Sequence, residues 1–168
     1  MNMRLDYSYQ ARLGVPGTLY DISPHAIDSR LNDESTIDAM QFGIGVFQGD
    51  SPGKTVRKPI AGDALATFEG ISMGSQTTSM DMQGERYIRP QQTIGVLRWG
   101  RAWVRIVPGR IIQYGDPLFL ITSGINAGLF TNEATNNLAI NAMFIGELGT
   151  SDVAPVEVYN QSNQGGRA

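Results

Sequence analysis

The chain has 168 residues, among them 20 glycines, eight prolines, one histidine and no cysteine, with a formal net charge of −3 at pH 7. Without cysteine there is no disulfide framework, thiolate metal site or cysteine nucleophile, and the single His25 excludes a multi-histidine zinc site. A negative chain lacks the footprint of a nucleic-acid binder, charged residues at 17% fall below the usual ~25%, and so much glycine and proline is too turn-rich for a helical bundle.

Met1 to Tyr7 holds no apolar h-region and does not read as a signal peptide. No run nears the ~18 apolar residues of a membrane span. The longest helix-permissive stretch, near 133–143, is interrupted by Asn136, Asn137 and Asn141. The chain therefore reads as soluble, all-β and made in a reducing compartment: a compact β-barrel or β-sandwich body, an extended N-terminal arm and at most one short helix.

Residues 1–41 read as the arm. Val15-Pro16-Gly17 is a turn signal. Ser23 as N-cap with Pro24 in the first helical position predicts about two turns of helix, ending near Asn32. Leu13, Leu19, Tyr20, Ile22, Ile27 and Leu31 are too sparse for a domain and need a surface to bury against. The β body spans 42–159, with strand signals every 8–14 residues. Strands are expected at Phe42–Phe47, Ala66–Met73, Thr93–Arg98, Ala102–Val107, Leu118–Thr122, a short one closing at Phe130, Ala142–Leu148 and Val153–Tyr159. Trp99-Gly100 reads as the glycine turn of a hairpin between the third and fourth of these. Residues 74–85, polar and methionine-bearing, read as an exposed excursion, and 160–168 as a polar tail.

Candidate chemistry is weak. Gly70-Ile71-Ser72-Met73-Gly74 has the G-x-S-x-G spacing of a nucleophile elbow, but no helix pattern follows and the only histidine lies upstream. Ser51-Pro52-Gly53-Lys54 has S-x-x-K spacing inside a turn, and Gly53-Lys54-Thr55 lacks the first glycine of a P-loop, since position 48 is Gln48. The acid pairs Asp28/Asp33, Asp63/Glu69 and Asp81/Glu85 sit in no apolar run that would raise a pKa. No cofactor or metal is expected. The arginines say more: 11 of them against Lys54 and Lys58, with Arg98, Arg101 and Arg105 crowding Trp99 and Trp103. That cluster is a nucleic-acid face, a solvated hairpin face with arginine stems over the indoles, or a protein interface enriched in Trp and Arg. Strand alternation places Val104 and Ile106 in the core and Trp103 at a surface or subunit contact. His25 is expected at the surface.

Several segments together resemble a known family: Pro16-Gly17; Ile27-Asp28-Ser29-Arg30-Leu31-Asn32-Asp33-Glu34; Phe42-Gly43-Ile44-Gly45-Val46; Phe68-Glu69-Gly70-Ile71-Ser72; Ile94 through Val104; and Gly115-Asp116-Pro117-Leu118-Phe119-Leu120. In order and spacing the chain resembles the structural cement, or capsid decoration, proteins of tailed bacteriophages. Residues 74–85 and 125–141 match less well. The resemblance implies a β-rich body on the outer capsid surface of the virion, made in the host cytoplasm. Its partners would be the major capsid protein and other copies of itself, as a dimer or trimer, with no nucleic acid and no membrane. Its function would be to bind the capsid lattice and stabilise the head without catalysis. The contact residues expected are Tyr7, Tyr9, Arg12, Leu13, Tyr20, Ile27 and Arg30 from the arm, and Arg98, Trp99 and Trp103 from the body. The alternative is a glycan-binding β domain on the virion surface, with Trp99 and Trp103 as sugar platforms.

Overall fold

The computed structural model describes residues 14–36, 40–74, 79–80, 86–146 and 152–159. Its strands are β1 (Ala26–Asn32), β2 (Gly45–Gln48), β3 (Thr55–Arg57), β4 (Phe68–Met73), β5 (Ser79–Met80) and β6 (Arg86–Tyr87). They continue with β7 (Thr93–Arg105), β8 (Pro117–Leu120), β9 (Phe130–Thr131), β10 (Leu138–Phe144) and β11 (Val153–Val158). A single turn of 3-10 helix, Leu65–Thr67, precedes β4. The fold is all-β, as the turn-rich composition requires.

Five strands close into a barrel in the order β1-β3-β2-β4-β7, with β7 pairing back onto β1. From β7 the sheet continues through β11, β10 and β8 to β9. That far edge curls back too: Phe130 bridges Ile106, and the Val107 N–H donates to the Phe130 carbonyl at 3.0 Å. β5, inside the expected excursion, pairs with β6, just beyond its end, in a separate two-stranded ribbon; residues 75–78 and 81–85 of the excursion lie outside the described set.

β7 is the member common to both halves. Ile94 and Val96 enter the barrel interior with Ile44, Val46 and Val56. Leu97, Ala102, Val104 and Ile106 enter a second core with Phe47, Leu118, Leu120, Phe130, Phe144 and Val156. Simple alternation cannot connect Leu97 to Ala102 on one face, because odd and even positions point opposite ways. The register supplies the answer. Ile27 opposes Leu97 while Ala26 opposes Trp99, so Arg98 is an extra residue bulged out of the ladder. A second bulge lies on β4, where Phe68 opposes Phe47 and Gly70 opposes Val46, leaving Glu69 as the extra residue.

The expected hairpin at Trp99-Gly100 is therefore corrected: residues 93–105 are one strand. Gly100 adopts φ +128° and still pairs with Val158, so it bends the strand without ending it. The expected helix after Ser23-Pro24 is also corrected. Ser23 bonds back to Asp21, its N–H donating to Oδ1 at 2.9 Å, and β1 follows as an extended strand. The misleading signal was the Ser23-Pro24 pair, which leads into Ile27 and Leu31 on β1. In the strand, Asp28, Arg30 and Asn32 alternate with them, and Arg30 and Asn32 are the covered residues. Asn32 is fully buried with its amide satisfied, donating to the Arg89 carbonyl and accepting from the Glu34 N–H, both at 3.0 Å.

Two outcomes follow. Gly70 has φ +145°, and a methyl there would lie 2.1 Å from the Leu97 carbonyl oxygen, whereas Gly53 (φ +78°) has open space around it. Urea unfolding should show Gly70→Ala losing on the order of 3 kcal/mol or more and Gly53→Ala only about 1 kcal/mol. Arg57 grips Asp63 through two hydrogen bonds of 2.8 Å, which, opposed by burial and aided by the Ile60 N–H, hold the Asp63 carboxyl below its ordinary value. A depressed folded-state pKa stabilises above the unfolded value near 3.9 and is lost as pH falls through the folded value. Asp63→Asn should cost about 1 kcal/mol at pH 7 and make the acid side of the stability profile shallower below about pH 4.

Candidate functional site

Beyond the bend, β7 turns Gly100, Ala102 and Val104 inward and leaves Trp99, Arg101, Trp103 and Arg105 half-buried on the other side. Val104 and Ile106 are buried and Trp103 is not, as alternation requires. The chain's own N-terminal segment runs along this face. Leu19 bridges Ala102 in antiparallel register. The Gly17 N–H donates to the Trp103 carbonyl at 2.8 Å, the Trp103 N–H to the Thr18 carbonyl at 2.9 Å, and the Tyr20 N–H to the Arg101 carbonyl at 3.0 Å. The Tyr20 ring tilts over Trp103 at 5.5 Å between centroids, and Gly14 sits so close that a methyl there would lie 2.0 Å from the indole. Residues 14–20 thus form a strap on the body, and its outer side shows Val15, Tyr20 and, just beyond, a fully exposed Ile22.

Arg101 anchors the next stretch of this segment. Its Nη1 meets Asp21 at 3.0 Å and its Nε meets Glu157 at 3.4 Å. Hydrogen bonds from the Ser23 hydroxyl and N–H, then Arg101, hold the Asp21 carboxyl below its usual range. Next to this pair opens a cleft of about 520 Å³, lined by Ser23, Pro24, Trp99, Gly100, Arg101, Glu157, Val158 and Tyr159. Burial first, then the neighbouring Glu157 and Tyr114, push the Tyr159 hydroxyl above its ordinary value, so it stays protonated and hydrogen-bonds Glu157.

Arg98 and Arg30 serve a different carboxylate. Arg98, at the β7 bulge, forms a close ion pair with Glu69, at the β4 bulge, and Arg30 reaches the same carboxylate oxygen at 3.5 Å while also holding Asp28 at 3.0 Å. Glu69 is 5% exposed, so two guanidinium groups answer one buried charge.

Of the ten residues singled out from sequence, Tyr7, Tyr9, Arg12 and Leu13 lie outside the described set. Tyr20, Trp99 and Trp103 come together on the strap face. Ile27 lies half-exposed on β1 over Gly95, and Arg30 is turned to Glu69 with only 15% of its side chain exposed. Asp21, Glu157 and Tyr159 were missed. Glu157 and Tyr159 come to Arg101 and Trp99 because β11 pairs Glu157 with Arg101 and Val158 with Gly100, and Asp21 because Leu19 and Tyr20 pair with the same stretch of β7, non-local registers that no local motif signals. Ser72, the residue of the G-x-S-x-G spacing, is fully buried in β4, donating to the Gln41 carbonyl at 2.7 Å and accepting from the Ile44 N–H at 3.1 Å. Among the described residues no strand-turn-helix elbow presents it.

The strap makes a checkable claim. Gly14→Val should drive its first residues off Trp103, shifting tryptophan emission to the red and speeding proteolysis between residues 14 and 23. The body, to whose second core residues 14–20 add only the partly buried Leu19, should lose no more than about 1 kcal/mol by urea unfolding.

Comparison with known proteins agrees on the fold and supplies a family. A chain in the solved structure "The capsid of Myoviridae Phage XM1" superposes with a TM-score of 0.66 at 20% identity, over 94% of this chain and 97% of that one. None of the curated proteins matches the sequence significantly. The family model "Structural cement protein (E217 gp24/Pam3 gp6)" matches residues 3–159, from the N-terminal segment to the end of β11. The chain belongs to the phage structural cement protein family.

Proposed function

We propose that this protein binds the outer surface of the major capsid protein lattice as a homo-oligomer and stabilises the assembled head without catalysing a reaction. The observation that carries the reading is the family match across 157 residues, which takes in the barrel, the second sheet and the strap alike. A cement protein works by linkage. Anything that binds the assembled shell and not its dissociated subunits adds free energy to the shell by mass action. Many copies act on one closed lattice, so each need contribute only a few kcal/mol.

The character of the contact follows from how the charges are used. Arg30, Arg57, Arg98, Arg101 and Arg110 are each paired with an acid of the same chain. The strap face instead offers Val15, Tyr20, Ile22 and half-buried tryptophans. Such a surface binds through apolar packing and neutral hydrogen bonds, which salt screens little. A contact built on exposed charge pairs weakens as the Debye length shrinks to about 8 Å at 0.15 M and below.

The test is to add purified protein to shells lacking it and to measure occupancy and shell melting from about 0.05 to 0.5 M salt. Occupancy should change less than about threefold across that range, and occupied shells should melt higher. Collapse of occupancy with salt contradicts the apolar contact. Full occupancy without a rise in melting contradicts cementing.

A further inference from the structure

The cleft beside Trp99 is not needed to hold the strap, and its chemistry is specific. Two aromatic residues line it, Trp99 and Tyr159, with Pro24 beside them, while Val158 borders it from β11 with its side chain buried in the second core. Three formal charges meet there: Arg101, Asp21 and Glu157. Asp21 is the nearer partner of Arg101, at 3.0 Å against 3.4 Å for Glu157. Asp21 lies outside the lining; the three groups together carry one excess negative charge, and Glu157 is the acid among them that lines the cleft. A quarter of the Glu157 side chain remains exposed to the cleft side of the molecule. Tyr159 stays a neutral donor to that carboxylate and adds no second charge.

We propose that this cleft receives one guanidinium or ammonium group, carried on a basic side chain of a partner protein. Ring faces attract a cation through their quadrupoles, and the attraction grows as the cation is desolvated. A carboxylate beside the rings fixes its direction. A planar guanidinium presents N–H groups to Glu157, while the methylenes of its stem lie against Pro24. A sugar ring would gain the stacking but leave the excess negative charge unanswered.

The probe is a small molecule, so the test does not depend on capsid binding. The Trp99 indole N–H signal of 15N-labelled protein, assigned with Trp99→Phe, is followed during titration with three compounds. These are N-acetyl-arginine amide, its uncharged isostere N-acetyl-citrulline amide, and methyl α-glucoside. The arginine derivative should saturate with a midpoint on the order of 10 mM, the citrulline derivative should bind about tenfold more weakly, and the glucoside should leave the signal in place. Glu157→Gln should weaken the arginine derivative by about fivefold or more. Asp21→Asn should weaken it as well, because Arg101 then turns to Glu157. Equal responses to arginine and citrulline, a response to the glucoside alone, or no saturation by roughly 200 mM would each overturn the assignment. The ligand series on the unmodified protein decides the matter even where a variant folds poorly.

Discussion

Residues two apart along a strand share a face, so the even positions of one strand can serve two different cores only if something shifts the alternation between them. In β7 that shift is the Arg98 bulge followed by Gly100 at φ +128°. Before the bulge, Ile94 and Val96 fill the barrel; after it, Ala102 and Val104 fill the second core, and Leu97 already belongs to that core. A side chain larger than hydrogen at Gly100 would press within 2.6 Å of the His25 Cβ, so the bend also needs the approach of the residue that leads into β1. Barrel closure by β1, the ladder to β11 and the line of the strap all take their direction from this one point.

The bulges carry a cost that the structure meets with charge. Each leaves a long polar side chain without a regular place in the ladder, and the two residues are Arg98 and Glu69, which pair with one another. Arg30, from the strand that closes the barrel, joins the same carboxylate. A buried ion pair of this kind adds little net stability, because desolvation offsets most of the attraction. Removing one member is another matter, since it leaves a charge stranded at a site that is nearly closed to water. The triad is best understood as fixing the register of β1, β4 and β7 at the point where the ladder is irregular. The bulk of the stability comes from the two apolar cores, where burial of each Ile, Leu or Phe is worth about 1.5–3 kcal/mol.

Much of this was legible in the residues. Alternation in Trp103-Val104-Arg105-Ile106 marked the buried pair and the outer tryptophan, and the turn-rich composition marked an all-β chain. What failed did so for identifiable reasons. Gly100 has the look of a turn glycine, and only pairing with the distant β11 makes it a bend within a strand. Ser23-Pro24 has the look of a helix start, but Ser23 turns back to Asp21, and β1, with its polar residues on the covered side, lacks the apolar alternation that marks a strand. Arg101 was visible as part of a basic cluster, but Asp21 and Glu157, which neutralise it, stand 80 and 56 positions away in sequence. Two of the three arginines at the tryptophans, Arg98 and Arg101, are therefore held in internal ion pairs and Arg105 bonds the Phe42 carbonyl, so the surface left for a partner is less charged than the local sequence implies.

The central claim is that β7 makes one cooperative unit of the barrel and the second sheet. Native-state hydrogen exchange of the β7 amides tests it directly. The amides of residues 94–97 and of 102–105 should open with the same free energy, equal to that of global unfolding, and respond alike to added denaturant. If the amides of 102–105 exchange through an opening of markedly lower free energy while those of 94–97 stay protected, the two cores unfold separately and the shared strand is not what unites them.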